Sequence, residues 1–182
     1  MALKIGNKAP DFTVNDQDGK SVSLSNLKGK KIVLYFYPAD LTPTCTIEAC
    51  NLRDNYKILL KQGYEVLGIS PDTEKKHRKF IEKEKLPFRL LSDIDRKVHD
   101  LYETWGPKVL FGRDYMGTLR TTFVINEAGA IEDIIDKVVS KDHAAQILKA
   151  ATTASPKSPA KKTTAKATVK KTTTKKVATK KK

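Results

Sequence analysis

Two continuous apolar segments in the first half of the chain predict strands that are buried on both faces of a sheet. They span residues 32–37 and 66–69, and neither alternates with polar residues as a half-exposed strand would. Between them, apolar residues recur at helical spacing from Ala49 to Leu60, and Gly63 follows where a helix is expected to end. The pattern therefore predicts a strand-helix-strand unit whose two strands lie at the centre of a sheet.

The rest of the chain also alternates between strand and helix patterns. An Asp18-Gly19 pair between apolar stretches predicts an N-terminal hairpin. Helical spacing predicts helices over residues 73–85, 94–105 and about 141–150, and two further strands, 121–125 and 131–136, flank a glycine turn. This order of elements predicts an α/β domain over residues 1–150, with a mixed central sheet flanked by helices.

The composition of the chain changes sharply after residue 150. Residues 151–182 contain 11 lysines and no acidic or aromatic residue, so they carry +11 of the net charge of +14. A segment of this kind cannot bury enough apolar area to offset its chain entropy, and its lysines repel one another, which predicts a disordered tail. Its Lys-, Thr-, Ala- and Pro-rich composition resembles that of linker-histone tails and predicts binding to duplex DNA through phosphates, without base readout. A merely solubilising extension is the alternative.

No apolar segment of the chain has the character of a signal peptide or approaches the ~20 residues of a membrane span. We therefore expect a cytoplasmic protein without membrane association, held near the nucleoid by its tail, or in the nucleus if the source is a eukaryote. A reducing compartment keeps thiols free, so two cysteines in such a chain favour redox catalysis over a structural disulfide.

Both cysteines lie in one short segment directly after the first buried strand. Cys45 falls in the predicted first turn of the helix, where unpaired N–H groups and the macrodipole stabilise a thiolate. It shares a helical face with Ala49 and Leu52 and is expected to point inward, whereas Cys50 lies on another face. On an intact helix their Cα atoms are roughly 8 to 9 Å apart, whereas a disulfide needs about 4.4 to 6.8 Å. The pair can therefore form a disulfide only if the helix unwinds locally.

Several spaced motifs around these cysteines resemble those of one family. Pro38-x-x-x-Thr42-x-x-Cys45 matches the active-site signature of peroxiredoxins, and the segment from Cys45 to Cys50 resembles the subfamily called bacterioferritin comigratory protein or peroxiredoxin Q. Further matching segments lie at residues 9–12, 105–108 and 115–123, and the resemblance extends over residues 3–149. Thr44, where members often carry glycine, and the lysine-rich tail depart from the family pattern.

The resemblance implies a thioredoxin-like fold and the reduction of hydrogen peroxide and organic hydroperoxides to water and alcohols. Cys45 would attack the peroxide and become a sulfenic acid, and Cys50 would condense with it to form an intramolecular disulfide. Thioredoxin would be the reductant of that disulfide. No cofactor is implied, and because both thiols belong to one chain we expect a monomer.

The same resemblance gives roles to four residues around the reactive thiol. Thr42 would hydrogen-bond the peroxide through its hydroxyl, and Pro38 would shield the pocket from water. Arg120 would stabilise the thiolate and the charge that develops on the peroxide oxygens, and Glu48 would orient Arg120.

Alternative interpretations of the same residues are weaker. His77, His99 and His143 do not form a zinc-binding spacing with the cysteines, and four residues between the cysteines do not match a Cys-x-x-Cys oxidoreductase. The alternative that stays open is a DNA-associated redox sensor or nucleic-acid-binding protein with a thioredoxin-like body.

Overall fold

The strands in the computed structural model, which describes residues 3–110 and 112–153, form one large sheet and one separate hairpin. They are β1 (Thr13–Asp16), β2 (Ser21–Ser23), β3 (Lys31–Phe36), β4 (Tyr64–Ser70), β5 (Arg89–Ser92), β6 (Trp105–Leu110), β7 (Arg113–Thr118), β8 (Thr121–Ile125) and β9 (Ile131–Ile135). The large sheet has the order β2-β1-β5-β4-β3-β8-β9, and β6 pairs with β7. Strands β3, β4 and β5 are parallel neighbours and the other pairs are antiparallel, which confirms the predicted mixed sheet and N-terminal hairpin.

The two predicted central strands are present as β3 and β4, which pair in parallel. Nearly all of their side chains are buried, as continuous apolar runs require. Alternate side chains of β3 point to opposite faces and divide the core into two layers. One layer packs helical residues, among them Cys45, against Val33 and Tyr35, and the other packs the N-terminal segment against Leu34 and Phe36.

The α-helices of the described ranges are α1 (Pro43–Asp54), α2 (Tyr56–Lys61), α3 (Glu74–Glu84), α4 (Lys97–Leu101) and α5 (His143–Thr153), and a 3-10 helix spans Leu24–Leu27. The helix predicted at 73–85 is confirmed as α3, which has Thr73 as its N-cap and a left-handed Lys85 at its end. The last predicted helix is confirmed as α5, which continues to Thr153. Most of the predicted tail, residues 154–182, lies outside the described residues.

The single helix predicted between the central strands is interrupted at Asn55. Helix α1 begins at Pro43 and ends at Asp54, and α2 begins at Tyr56. The Asn55 side chain donates to the backbone carbonyl of Asn51 at 2.9 Å, an acceptor that the backbone N–H of Asn55 also uses. Both donors share this carbonyl, and such bonding of a side chain to the local backbone is why asparagine favours helix breaks.

The prediction of a helix at residues 94–105 is wrong over most of that range. Only α4 is helical there, because Arg96 and Glu103 have positive φ angles of 60° and 54° that stop a right-handed helix at both ends. Trp105 instead begins β6, and its ring packs edge-on against His99 and under the Arg96 guanidinium. The strands β5, β6 and β7 are not among the predicted strands.

Candidate active site

Cys45 lies at the start of α1, in the layer of the core that the helices cover. The helix begins soon after β3, with Thr42 in an extended conformation before it and Pro43 as its first residue. As the third helical residue, Cys45 has a backbone N–H without a partner inside the helix, and the macrodipole at this end favours a negative charge. Its side chain is only 2% exposed and packs in one cluster with Ala49 and Leu52. The inward orientation expected from helical spacing is confirmed.

Arg120 brings a positive charge to the Cys45 sulfur. It is the residue before β8, and its Nη2 donates a hydrogen bond to Cys45 Sγ at 3.4 Å. Its Nη1 donates to Glu48 Oε2, so one guanidinium binds the thiol and the carboxylate together. Burial lowers the pKa of Arg120, but Glu48 and Cys45 raise it by more, which keeps the pKa above its usual value. Arg120 is therefore a permanent cation in direct contact with the sulfur.

Glu48 lies one helical turn beyond Cys45 and is fully buried. Burial raises the pKa of this carboxyl to about 7, although the charge of Arg120 and its hydrogen bond act in the opposite direction. Its second oxygen, Oε1, has no hydrogen bond among the described residues and lies 3.2 Å from His143 Nδ1. The carboxyl that binds Arg120 thus lies in an environment where its own charge is costly.

The loop between β3 and α1 carries Pro38 and Thr42. Thr42 Oγ1 donates to the carbonyl of Ala39 at 3.1 Å, so the hydroxyl proton is engaged within the loop and the lone pairs of the oxygen remain able to accept. Pro38 is half-buried where the chain leaves the strand. The positions of both residues are thus set by the loop backbone.

A buried carboxylate anchors this loop to the rest of the fold. Tyr37 donates to Asp40 Oδ1 at 2.6 Å, and His77 Nδ1 lies 2.7 Å from Asp40 Oδ2. The backbone N–H of Asp40 donates to Asp72 at 2.6 Å, and His77 Nε2 lies 3.1 Å from the carbonyl of Leu91. These contacts join the loop to α3 and β5 and restrict the position of Thr42.

Cys50 lies on a different face of α1 and contacts α3. Its Sγ donates to Glu84 Oε2 at 3.6 Å, and the side chain is partly exposed. Burial raises the pKa of the Cys50 thiol, and the neighbouring Glu84 and Asp54 raise it further, whereas Arg53 lowers it. Both cysteines are free thiols and α1 is continuous through both of them. The disulfide inferred from the resemblance stays a prediction, and it requires α1 to unwind.

The structure therefore brings three of the predicted residues, Cys45, Arg120 and Glu48, into direct contact. Pro38 and Thr42 lie in the loop that enters α1, and Cys50 points toward α3 instead of toward Cys45. Sequence reasoning missed His143, whose Nε2 lies 2.8 Å from Thr122 Oγ1 and whose Nδ1 faces Glu48. No spacing in the sequence connects residue 143 with residue 48, so only the fold reveals this contact.

Residues 3–110 and 112–153 contain neither a metal-binding cluster nor a membrane-spanning helix. No group of three or more His, Cys, Asp or Glu side chains in these ranges is arranged to hold a metal ion. None of the helices there is both long enough and apolar enough to cross a membrane.

The family model, the related sequences and the solved structures that match this chain all belong to one family. Residues 5–134 match the model of the AhpC/TSA family. Peroxiredoxin Bcp of Bacillus subtilis is 44% identical over 157 residues, which cover 86% of this chain and 100% of that protein.

Solved structures of peroxiredoxins have the same fold. The crystal structure of peroxidoxin BcpB from Mycobacterium tuberculosis matches with a TM-score of 0.73 at 35% identity, over 83% of this chain and 97% of the other. The bacterioferritin comigratory protein of Xanthomonas campestris, in a structure concerned with its alkyl peroxide reduction activity, matches with a TM-score of 0.75 at 28% identity, over 84% and 98%. The expected thioredoxin-like fold is confirmed.

Proposed function

Because this chain belongs to the AhpC/TSA family and is a Bcp-type peroxiredoxin, a thiol peroxidase, we propose that Cys45 is its peroxide-reacting thiol and Cys50 its resolving thiol. The observation that carries the proposal is the hydrogen bond of 3.4 Å from Arg120 Nη2 to the buried Cys45 sulfur. A cation and the N-terminal end of α1 both favour a thiolate, which is the nucleophilic form of cysteine.

In the first step the Cys45 thiolate attacks the terminal oxygen of a hydroperoxide. The S–O bond forms as the O–O bond breaks, Cys45 becomes a sulfenic acid, and the alkoxide or hydroxide that leaves takes up a proton to give an alcohol or water. Arg120 stabilises the negative charge as it moves from sulfur to the leaving oxygen. Thr42 has lone pairs that can accept a hydrogen bond from the peroxide. Pro38 limits the access of water, and Glu48 holds Arg120 in place.

In the second step Cys50 resolves the sulfenic acid. Its sulfur attacks the Cys45 sulfur, the S–S bond forms, and the sulfenic hydroxyl leaves as water with the proton of Cys50. The family implies a thiol reductant for the disulfide, and we propose thioredoxin, whose dithiol supplies the two electrons and two protons that restore both thiols. Because both thiols lie in one chain, we propose that the cycle is completed by a monomer.

Both hydrogen peroxide and organic hydroperoxides are proposed as substrates. Support for the organic class comes from the Xanthomonas relative, whose structure concerns alkyl peroxide reduction. The test is NADPH consumption with thioredoxin, thioredoxin reductase and either hydrogen peroxide or cumene hydroperoxide, with wild type, Cys45→Ser and Cys50→Ser. We expect turnover that Cys45→Ser abolishes and Cys50→Ser lowers steeply. Turnover that survives in Cys45→Ser would remove that thiol from the mechanism.

We propose a second function for residues 151–182, the non-specific binding of duplex DNA. The supporting observation is the sequence itself, which places 11 lysines in this segment and no acidic residue. The tail would then keep peroxide removal close to DNA, in the cytoplasm near a nucleoid or in a nucleus. The alternative, a DNA-associated redox sensor, predicts oxidation of Cys45 in a single turnover without sustained NADPH consumption.

A further inference from the structure

Glu48 uses only one of its two carboxylate oxygens to hold Arg120. The other oxygen, Oε1, is buried and has no hydrogen bond among the described residues. An unpaired oxygen at this depth favours the neutral carboxyl, because no hydrogen-bond donor of the described residues compensates its negative charge. A nearby N–H would keep Glu48 ionised.

His143 is placed to supply that N–H. It is the first residue of α5 and is fully buried, and its Nδ1 lies 3.2 Å from Glu48 Oε1. The two atoms are at hydrogen-bonding distance but are not aligned for a hydrogen bond, and Nδ1 likewise has no hydrogen bond among the described residues. A small rotation of the imidazole or the carboxylate would satisfy both buried atoms at once.

The other ring nitrogen of His143 determines what Nδ1 can do. Burial and the charge of Arg120 lower the pKa of His143 to about 3, so the imidazole is neutral and carries one N–H. Nε2 lies 2.8 Å from Thr122 Oγ1, and a hydroxyl can either donate or accept. When Thr122 donates to Nε2, the ring proton is on Nδ1 and faces Glu48 Oε1.

We propose that His143 is a positioning residue for the thiol centre, whose Nδ1–H holds the free oxygen of Glu48 so that the ionised carboxylate keeps Arg120 against the Cys45 sulfur. This inference rests on the proposed function of Cys45 and extends it to α5. The groups that face His143 are Glu48 from α1, Arg120 from the segment before β8, Thr122 from β8 and the ring of Tyr35 from β3.

The test uses full-length protein with Cys50→Ser, so that Cys45 is the sole thiol. His143→Leu removes both ring nitrogens at similar volume, and His143→Asn returns an amide near the position of Nδ1. Thr122→Val, which keeps the shape of the side chain but removes the hydroxyl, is a second variant in case His143→Leu does not fold. The readouts are single-turnover oxidation by hydrogen peroxide and the pH profile of alkylation by iodoacetamide, both expressed per folded molecule.

His99 provides a matched control. It is also a fully buried imidazole between a carboxylate, Asp93, and a threonine hydroxyl, Thr118, but it packs against Phe36 in the other layer of the core. We expect His99→Leu to lower the melting temperature and leave both readouts unchanged. This separates loss of a buried imidazole in general from loss of the contact with Glu48.

We expect His143→Leu to slow oxidation by about tenfold or more, the usual effect of losing a hydrogen bond to a charged group. Alkylation of His143→Leu should shift to higher pH, because Arg120 no longer holds the sulfur. His143→Asn should restore much of the oxidation rate and of the alkylation profile of the parent. Three results would overturn the positioning role. His143→Leu could react like the Cys50→Ser parent in both readouts, His143→Asn could fail to restore them, or alkylation of His143→Leu could shift to lower pH. If the parent itself is not oxidised by peroxide, the proposed function is wrong, and alkylation still tests His143.

Discussion

Arg120 binds two groups that compete for its charge. The Cys45 sulfur and the Glu48 carboxylate each accept a hydrogen bond from a different nitrogen of one guanidinium. The fork of donors is rigid, so fixing one nitrogen on Glu48 also fixes the direction of the other toward the sulfur. The buried carboxylate therefore contributes orientation, at a cost in its own desolvation.

That desolvation cost predicts how the contribution of Glu48 to the free energy of unfolding depends on pH. The pKa of Glu48 is about 7 in the folded chain and 4.5 when unperturbed, so between these values the folded chain binds more protons than the unfolded chain. The stability of wild type relative to Glu48→Gln should therefore fall as pH rises from 4.5 to 7, by up to about 1.4 kcal/mol per pH unit. Urea unfolding of both proteins across this range, with the thiols reduced, measures the difference.

The comparison with Glu48→Gln is needed because His143 acts in the opposite direction. Its pKa is lowered from 6.5 to about 3, so the unfolded chain binds more protons in that interval and His143 makes stability rise with pH. This contribution is present in both proteins and largely cancels in their difference. A difference that grows with pH instead would place the folded pKa of Glu48 below 4.5 and contradict the raised value.

At the residue scale, the place of Cys45 in the first turn of a helix already indicated a reactive thiol, whereas the roles of Arg120 and Glu48 followed only from the motif resemblance. Cys45 and Glu48 lie one turn apart and could be placed on one helix by spacing, but Arg120 lies next to a strand and has no pattern that marks its contact. For His143 the sequence suggests no role beyond metal binding, which its spacing from the cysteines does not support. Its contact with Glu48 depends on how α5 packs against α1, which is a tertiary property that periodicity does not encode.

Helix α1 is held between the start of α5 and the end of α3. Asn51 donates to the carbonyl of Lys141 at 2.7 Å and accepts from the N–H of Ala144 at 2.9 Å. On the other side, Arg53 donates to the carbonyl of Glu84 at 2.6 Å, and the Cys50 thiol donates to the Glu84 carboxylate. These contacts favour the continuous helix, in which the two cysteines are too far apart to bond, and so oppose the proposed resolving step.

We therefore expect Asn51→Ala to speed disulfide formation. Losing two side-chain hydrogen bonds should destabilise the α1–α5 contact by about 1–2 kcal/mol, and so make local unwinding easier. Faster resolution leaves the Cys45 sulfenic acid less time to react with a second peroxide, so less sulfinic acid should accumulate. Mass spectrometry after turnover at increasing peroxide concentration measures the fraction of sulfinic acid in each protein.

Gln146→Ala is the matched control for this prediction. The Gln146 side chain also makes two hydrogen bonds to backbone groups, at the N–H of Val139 and the carbonyl of Lys137, but neither group belongs to α1. It should cost similar stability and leave sulfinic acid formation as in wild type. Equal sulfinic acid in Asn51→Ala and wild type would show that the Asn51 contacts do not limit resolution.

Elements with a continuous or strictly periodic apolar pattern could be predicted from the sequence. The central strands and α3 are of this kind. The hairpin of β6 and β7 could not be predicted, because most side chains of β7 are exposed and its sequence does not alternate between apolar and polar residues. The break at Asn55 depends on one side chain bonding a carbonyl, and the end of α4 depends on a left-handed backbone at Glu103, and neither is visible to a pattern of apolar residues.

At the scale of the whole molecule, most of the net positive charge lies in residues 151–182, outside the domain that holds the candidate active site. Residues 1–150 carry only +3 of the net charge of +14, and the lysines of the tail follow α5 in the sequence. This separation was evident from composition alone, because it needs no knowledge of packing. It also means that the proposed peroxidase and the proposed DNA-binding segment should be separable by deletion.

The deletion should remove residues 154–182, because α5 continues to Thr153 and all 11 tail lysines lie beyond it. We expect the shortened chain to keep the full peroxidase rate and lose binding to duplex DNA, measured by fluorescence anisotropy. Binding by the full chain should weaken on the order of 10³-fold between about 50 and 200 mM salt if several phosphates are neutralised.

A full-length control with the 11 lysines changed to glutamine should behave like the deletion, because length without charge gives no counterion release. Binding that persists in either variant would place the DNA contact on the folded domain, and a peroxidase rate that falls with the lysines would show that the tail acts on the catalytic cycle.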